Sequence, residues 1–187
     1  MRDVVLRQYA VSLDGFSCAD DSEFQRYVFD LVDPELDEQI VSDLRRAGTH
    51  IMGRVTYNNM ADYWPETTGA IADVMNHVPK VVFSGTLEHA PWAHSSIASG
   101  DTAQEIARLK SQPGAEIMAH GGFRFTQSLV RLDLVDELRL YVFPVALGHG
   151  SSIFTSVESM KRYQLVSSVA YSCGAVFNTL RRIERVN

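Results

Sequence analysis

Short apolar runs alternate with stretches of helical spacing through most of the chain. The apolar runs predict strands at residues 4–11, 49–52, 80–84, 95–98 and 115–120. The stretches between them predict helices that begin near residues 34, 55, 69, 102 and 123. Because strands that alternate with helices form parallel sheets covered on both faces, the pattern indicates the α/β class.

The pattern changes in the last third of the chain. Residues 136–145 alternate between apolar and polar side chains, which predicts one more strand. Residues 163–172 and 175–184 flank a turn at Cys173-Gly174 and predict an antiparallel hairpin. We therefore predict a single domain over residues 1–187, with a mainly parallel sheet, helices on both faces and an antiparallel edge.

Short polar motifs predict where helices begin and end. Asp33-Pro34 supplies an N-cap followed by proline, whose fixed φ angle suits the first helical turn. Asp101 and Gln104 form a capping box. Gly48 is expected to end the helix that starts at Pro34, since glycine commonly follows the last helical residue.

Composition and charge argue against several kinds of partner. The chain carries a formal net charge of -6 and shows no basic stripe, which argues against a nucleic-acid partner. No apolar run approaches the roughly 20 residues that span a bilayer, and the N-terminus lacks the apolar core of a signal peptide. We expect a cytoplasmic protein whose two cysteines, Cys18 and Cys173, are reduced thiols, and no metal site.

Gly121-Gly122 lies directly between the predicted strand at 115–120 and the helix that follows. Glycine lets a backbone approach a phosphate closely, and free N–H groups at a helix start attract anions. The alternative is a turn that uses glycine only for its φ angle. The run from Gly53 to Thr56 repeats the arrangement with a guanidinium and a hydroxyl, unless Arg54 is a solvated charge and Thr56 a helix cap. Because both motifs follow strands, we predict a nucleotide-diphosphate ligand.

Five motifs, in the same order and at matching spacing, resemble the dihydrofolate-reductase-like superfamily. They are AVSLDG at residues 10–15, GRVTY at 53–57, KVVFS at 80–84, the glycine pair at 121–122, and LVDEL at 134–138 with PVALGHG at 144–150. Within the superfamily, the chain most resembles the C-terminal reductase domain of the bifunctional riboflavin-biosynthesis deaminase-reductase and its stand-alone relatives. The resemblance implies a dihydrofolate reductase-like fold, with a central, mostly parallel sheet of about eight strands, flanking helices and a C-terminal antiparallel hairpin.

The resemblance also implies NADPH as hydride donor and assigns positions around it. The backbone of Ala10 and Val11 would meet the nicotinamide, and Gly15 would lie in the loop that covers it. Arg54 would face the adenosine 2′-phosphate, and Thr56 the pyrophosphate. The remaining implied cofactor contacts are Gly53 before Arg54, Phe83 and Ser84 beside the adenosine, and His120, Gly121, Gly122, Phe123 and Arg124 around the pyrophosphate.

A few positions depart from the family pattern. Many members have glycine where this chain has His120, and the riboflavin enzymes tend to carry lysine where this chain has Gln8. Folate reductases place an acid at the start of the first helix, and Glu23 holds the matching position here. Glu23 could protonate a substrate nitrogen if burial raised its pKa, or it could only complement the helix dipole. Glu23 and Asp14 are the candidate catalytic residues.

These observations predict an NADPH-dependent reductase that transfers a hydride to a small heterocyclic or carbonyl substrate, similar to the 5-amino-6-(5-phosphoribosylamino)uracil reductase domain. The alternatives are a true dihydrofolate reductase and a nucleotide-binding module that has lost catalysis. His120 and the lack of a clear proton donor favour the module. Because family members are often homodimers, we also expect a second copy to cover the apolar closing hairpin.

Overall fold

The strands of the computed structural model form one sheet. The structure describes residues 1–17, 23–155 and 157–183 of the chain. Numbered along the chain, the strands are β1 (Val4–Val11), β2 (Ala47–Gly53), β3 (Lys80–Phe83), β4 (Ser95–Ala98), β5 (Glu116–Ala119), β6 (Glu137–Val142), β7 (Tyr163–Ala170) and β8 (Val176–Arg182). Their order across the sheet is β4-β3-β2-β5-β1-β6-β8-β7.

The direction of the strands confirms the predicted mixed sheet. From β4 across to β6, every neighbouring pair of strands is parallel. Strand β8 runs antiparallel to both β6 and β7, which gives the C-terminal hairpin. The carboxyl ends of the parallel strands therefore share one edge of the sheet, the edge at which open α/β sheets bind ligands.

The helices lie on both faces of the sheet, as the sequence predicts. They are α1 (Glu23–Asp30), α2 (Pro34–Arg45), α3 (Arg54–Tyr63), α4 (Ala70–His77), α5 (Thr102–Ser111) and α6 (Phe123–Arg131), with a 3₁₀ turn (Trp64–Glu66) after α3. Helices α1 to α4 bury Phe24, Leu44 and Tyr57 on one face, whereas α5 and α6 bury Ile106 and Leu129 on the other. Burying one such side chain contributes about 1.5–3 kcal/mol, so apolar packing holds the helices in place. No helix in the described ranges is long and apolar enough to cross a membrane.

A buried ion network occupies the amino-terminal half of the sheet, beneath α2. Arg139 on β6 is fully buried, and its guanidinium bonds Asp43, Glu116 and Glu137. Arg7 on β1 bonds Asp43 as well, with 3.2 Å between Nε and Oδ2. Burial alone would lower the pKa of Arg139, but the three carboxylates outweigh burial and raise it. We call these five residues the Arg139 network.

The structure corrects the predicted ends of some elements. Helix α2 ends at Arg45, so the prediction that Gly48 terminates it is wrong. Gly48 lies inside β2, where a Cβ would come within 3.0 Å of the backbone nitrogen of Ala115, and a side chain would block this close approach. Helix α1 was not predicted beyond its first residue, Glu23. The cysteine Cys18 lies outside the described residues.

Candidate functional site

A long cleft of about 1590 Å³ follows the carboxyl edge of the sheet. It crosses the ends of β4, β3, β2, β5 and β1, which are neighbours in that order. Because adjacent strands lie about 4.8 Å apart, the cleft extends over roughly 19 Å. Its shape suits an elongated ligand that touches several strand ends at once.

The first helix N-terminus in the cleft follows β2. Gly53 is the N-cap of α3 and has no side chain to accept a hydrogen bond from the first N–H groups. Arg54 is exposed, and within the described ranges it pairs with no carboxylate. Thr56 lines the same stretch of the cleft. Open N–H groups, a guanidinium and a hydroxyl thus face one space, a combination that favours a phosphate.

The second helix N-terminus follows β5. Its N-cap Gly122 has a φ of +90°, a left-handed conformation that side-chain-bearing residues rarely adopt. A Cβ on Gly122 would also lie 2.5 Å from the Thr56 hydroxyl oxygen, whereas a Cβ on Gly121 would meet nothing within 4 Å. The fold itself therefore requires glycine at 122, and the space beside Gly121 is open to a ligand. Phe123 and Arg124 begin α6 and line the cleft next to it.

An aromatic pair marks the cleft near the end of β3. The rings of Phe83 and Phe125 lie 4.8 Å apart between centroids and are inclined by 32°. Ser84 accepts hydrogen bonds at Oγ from the backbone N–H groups of Thr86 and Leu87, which orders the turn after the strand. Its hydroxyl can still donate one hydrogen bond. This end of the cleft offers aromatic surface beside the Ser84 hydroxyl.

The end of β1 carries an irregular backbone at the opposite part of the cleft. Ala10 has a φ of +61°, and the pairing of β1 with β6 shifts register between Gln8 and Val11. Ser17 donates from Oγ to the Ala10 carbonyl oxygen at 2.6 Å, which fixes this irregularity. Strain of this kind costs about 1–3 kcal/mol and clusters at functional sites. Ala10 and Gln8 line the cleft, whereas Val11 and Gly15 line a neighbouring cavity of about 160 Å³.

Neither candidate catalytic acid contributes to the lining of the cleft. Asp14 accepts hydrogen bonds from the hydroxyl of Ser12 and from the backbone N–H groups of Leu147 and Gly148. These bonds, that of Ser12 foremost, lower the pKa of Asp14 to about 2. Its carboxylate therefore stays ionised and ties two loops together. Glu23 is exposed at the start of α1, where it complements the helix dipole.

His120 forms part of the floor of the cleft. Its residue is only 3% exposed, and its ring packs edge-on against His50 with 4.4 Å between centroids. Nε2 of His120 has no hydrogen-bond partner among the described residues. Burial lowers the pKa of His120 well below its ordinary value, and the charges of His50 and Arg7 lower it further. The imidazole is therefore neutral near pH 7 and lies beneath the opening rather than across it.

One wall of the cleft and one charged group on its floor are not predicted by the sequence pattern. The wall consists of aromatic and apolar side chains from α1, α3 and the 3₁₀ turn: Phe24, Val28, Phe29, Met60, Tyr63 and Trp64. The charged group is Arg7. The helical spacing of Phe24 and Val28 could have predicted an apolar face of α1, but no local signal aims that face at a ligand.

The lining of the cleft is positively charged. In the part of the chain that the structure describes, it contains Arg7, Arg54 and Arg124 and no aspartate or glutamate. The same part of the chain has no group of three or more His, Cys, Asp or Glu side chains suited to a metal ion. Two uncapped helix N-termini, exposed guanidinium groups and an aromatic pair fit the diphosphate and the base of a dinucleotide.

Comparison with known proteins finds a family match over most of the chain. The model of the RibD C-terminal domain matches residues 3–177. The chain is also 27% identical to YyaP, an uncharacterized protein of Bacillus subtilis (strain 168), over 177 residues. That alignment covers 92% of this chain and 91% of YyaP.

Solved structures confirm the predicted fold class. A chain from Shewanella sp. PV-4 described as a riboflavin biosynthesis protein superposes with a TM-score of 0.78 at 22% identity, over 98% of this chain and 100% of that one. The diaminohydroxyphosphoribosylaminopyrimidine deaminase/5-amino-6-(5-phosphoribosylamino)uracil reductase of Thermotoga maritima gives 0.66 at 14% identity, over 97% and 57%. Dihydrofolate reductase from Enterococcus faecalis, complexed with NADP(H), gives 0.64 at 13% identity, over 97% of each chain. At such identities these likenesses show the fold alone.

Proposed function

The chain belongs to the family of the RibD C-terminal domain, and on that premise we propose that it is an NADPH-dependent reductase of a small carbonyl or heterocyclic compound. The observation that carries the proposal is the pair of open helix N-termini, at Gly53 and Gly122, in one positively charged cleft. A reductase of Thermotoga maritima and an NADP(H)-bound reductase of Enterococcus faecalis share the fold, which supports a nicotinamide cofactor.

Each part of the cleft would hold one part of the dinucleotide. The N–H groups at the starts of α3 and α6 would bind the diphosphate, with Arg54 on the 2′-phosphate. Phe83 would border the adenosine, and the backbone at Ala10 would orient the nicotinamide. When bound, the nicotinamide supplies a hydride to an electrophilic carbon of the substrate, which also takes up one proton.

A dihydrofolate reductase is the first alternative, and α1 argues against it. The described part of α1 presents Phe24, Gln25, Val28 and Phe29 to the cleft, whereas Glu23 is exposed outside the lining. This helix therefore offers the cleft no carboxylate that could protonate a substrate nitrogen. Dihydrofolate should not be turned over, and rapid turnover that an antifolate inhibits would favour this alternative.

A nucleotide-binding module without catalysis is the second alternative. It is favoured by the lining itself, to which the described residues contribute no acid. The module and the reductase make the same prediction for NADPH binding. They differ in one respect. The reductase should oxidise bound NADPH when a carbonyl compound or heterocycle is added, and the module should not.

A thermal-shift panel with NADPH, NADH, FMN and no ligand tests the proposed cofactor. A ligand that binds only the folded state raises the melting temperature, so NADPH should give the largest shift. A shift with FMN alone would contradict the proposal.

A turnover assay separates the reductase from the binding module. Protein that binds NADPH is mixed with a panel of aldehydes, ketones and pyrimidines, and the loss of reduced nicotinamide is followed by absorbance. NADPH oxidation supports the reductase, and its absence across the panel supports the binding module.

We also propose that the protein is a homodimer. Strand β7 forms one edge of the sheet, where Leu165 and Val166 are more than half exposed. An exposed apolar edge strand is a template for pairing with another chain. Light scattering should give twice the mass of one chain, and Val166→Glu should halve that mass.

We also propose a cytoplasmic location, which fractionation of the source cells would test.

A further inference from the structure

The neighbouring cavity of about 160 Å³ at the end of β1 is lined mainly by apolar side chains. Leu140 and Ile153 in its lining pack against the apolar cluster beneath α5 and α6. The cavity therefore lies on the face of the sheet opposite α1 and α3. The other apolar side chains of its lining are those of Val11, Leu13, Val142 and Phe154. We call this space the β1 cavity.

The β1 cavity has a buried base and an exposed mouth. Gln8, Val11 and Ile153 are buried, which places the base against the sheet. Leu13 is 67% exposed and Phe154 is 39% exposed, which places the mouth at the surface. A small molecule in the cavity would thus cover apolar surface that now faces solvent.

Hydrogen bonds hold the walls of the β1 cavity apart. The backbone N–H of Leu13 donates to the Val145 carbonyl oxygen at 2.8 Å, and Ser17 and Ser151 exchange two backbone bonds of 2.9 Å each. The Asp14 carboxylate ties the same two loops together. A cavity with fixed walls relaxes only partly, and the loss of packing that it represents is restored by an occupant.

The lining of the β1 cavity favours an uncharged, apolar occupant. No charged side chain of the described ranges lines it. Its hydroxyl protons are already used, because Ser12 donates to Asp14 and Ser17 donates to the Ala10 carbonyl oxygen. A charged ligand would lose its water without gaining a partner. Because a cavity of about 150 Å³ lined by Leu, Ile and Phe takes up benzene, the β1 cavity suits a molecule of about that size.

Two polar side chains form the partition between the β1 cavity and the cleft. Gln8 and Ser17 line both spaces, and Ser17 fixes the left-handed backbone of Ala10. Gln8 is held less firmly, since its Nε2 bonds the Tyr9 carbonyl oxygen and the Ser17 hydroxyl at 3.4 Å each. Its Oε1 has no partner among the described residues. Bonds of this length are weak, so an occupant that packs against Gln8 would restrain its side chain.

We propose that the β1 cavity is a regulatory site for a small, uncharged apolar molecule, and that its occupant strengthens dinucleotide binding in the cleft. Packing against Gln8 and Ser17 orders the partition in advance, so the dinucleotide has less ordering to do when it binds. The regulatory effect rests on the proposed function, whereas the cavity and its class of ligand do not. By linkage, the dinucleotide must strengthen binding of the occupant by the same factor.

Benzene and benzoate test the class of ligand, because they share a ring and differ in charge. Each is titrated into the free protein while nuclear magnetic resonance follows methyl signals. Those of Val142 and Ile153 report on the β1 cavity, and those of Val28 and Met60 report on the cleft. Benzene should shift the cavity signals, and benzoate should not. Cavity signals that stay unchanged up to the solubility limit of benzene, or that shift equally with benzoate, would overturn the proposal.

A filled cavity provides the variant, and the same change elsewhere provides its control. Val142→Phe adds volume inside the β1 cavity, whereas Val169→Phe adds it on the exposed edge strand β7. The first variant should abolish the shift of Ile153 with benzene, and the second should leave it as in the wild type. Circular dichroism checks the fold, and the wild-type titration decides the question if Val142→Phe does not fold. A folded Val142→Phe protein that keeps the shift contradicts the site.

NADPH titration with and without benzene tests the regulation. Benzene should tighten NADPH binding about fivefold or more in the wild type and should have no effect in Val142→Phe. Equal NADPH affinity with and without benzene would overturn the regulatory role. NADPH binding without any shift of the cavity signals refutes the β1 cavity alone. Cavity shifts in a protein that does not bind NADPH refute the cofactor and leave the binding site standing.

Discussion

The two ends of the sheet differ in whether their charged side chains are paired. In the amino-terminal half, Arg139 is fully buried, and its guanidinium bonds three carboxylates. At the carboxyl edge, Arg54 and Arg124 are exposed, and no described carboxylate pairs with either. One end of the molecule neutralises its charges internally, whereas the other leaves them open to solvent.

The difference separates residues that stabilise the fold from residues that await a ligand. A buried charge is tolerated only when it is paired, so the Arg139 network is a structural feature. Exposed, unpaired cations beside open helix N-termini contribute little to stability and much to anion binding. Arg7 connects the two ends, because it bonds Asp43 and also lines the cleft.

The largest expected effect comes from breaking the buried end. Arg139→Met leaves three carboxylates without their central cation and should lower the free energy of unfolding by about 3–5 kcal/mol. Urea unfolding measures the change. Arg181→Gln is the control, because Arg181 bonds Glu137 from a position that is 52% exposed and should cost less than about 1 kcal/mol. Equal effects of the two variants would contradict the structural role of the network.

The free energy of unfolding should fall at lower pH. The cause is a pair of buried histidines, His50 and His120, that lie between the two ends of the sheet. Burial, with smaller effects of Lys80 and Arg7, lowers the pKa of His50 to about 3, and burial also lowers that of His120. Below about pH 6.5 the unfolded chain takes up protons that the folded protein excludes, so stability falls with falling pH. Each histidine contributes up to about 1.4 kcal/mol per pH unit.

Unfolding measured at several pH values from 7.5 down to 5.5 should therefore show a total loss of about 2–3 kcal/mol. His50→Phe should remove about half of this dependence. His89→Gln, at an exposed histidine, should leave the dependence as in the wild type. A wild-type stability that stays flat over this range would show that the histidines protonate freely in the folded state.

The open end can be blocked without disturbing the fold. Gly121→Val places its side chain in open space, so stability should change by less than about 1 kcal/mol. NADPH affinity should fall roughly 10- to 100-fold, since overpacking of a fitted site costs about 1–3 kcal/mol. Gly122→Val should instead destabilise the protein, because its backbone is left-handed and Thr56 lies 2.5 Å from the new Cβ. A Gly121→Val protein that binds NADPH normally would contradict the proposal that the diphosphate lies beside Gly121.

The smallest expected effect concerns the choice between NADPH and NADH. A charge-assisted pair between Arg54 and the 2′-phosphate is worth about 1.5–3 kcal/mol, so the wild type should prefer NADPH by roughly tenfold or more. Arg54→Ala should remove most of that preference. Arg131→Ala is the control, since Arg131 is exposed at the other end of α6. Equal affinity of the wild type for both dinucleotides would refute the role of Arg54.

The sequence predicts the backbone of the cleft but only part of its floor. Gly53 and Gly121-Gly122 lie at strand-to-helix junctions, which local patterns show. The family resemblance assigns His120 to the cofactor contacts, whereas Arg7 looks like an ordinary polar position within a strand. Only the pairing of β1 with β5 brings them together, and pairing between such distant segments leaves no local signal.

The sequence pattern also does not predict which charged side chains are buried. The alternation of Glu137, Arg139 and Tyr141 with apolar residues correctly predicts a strand, but such a polar face normally meets solvent. Here α2 covers that face and contributes Asp43, so the polar side chains are buried. The identity of the covering helix is a property of the whole fold.

The central position of β1 has a consequence during synthesis of the chain on the ribosome. Val4 pairs with Ile117, 113 residues further along the chain, and the other partner of β1 is later still. At about 5–20 residues per second, the first strand waits roughly 6 to 23 seconds for a neighbour. Its apolar residues, Val4, Val5 and Leu6, stay without a partner strand during that time. Of the described strands, β1 is thus synthesised first and waits longest for a partner strand.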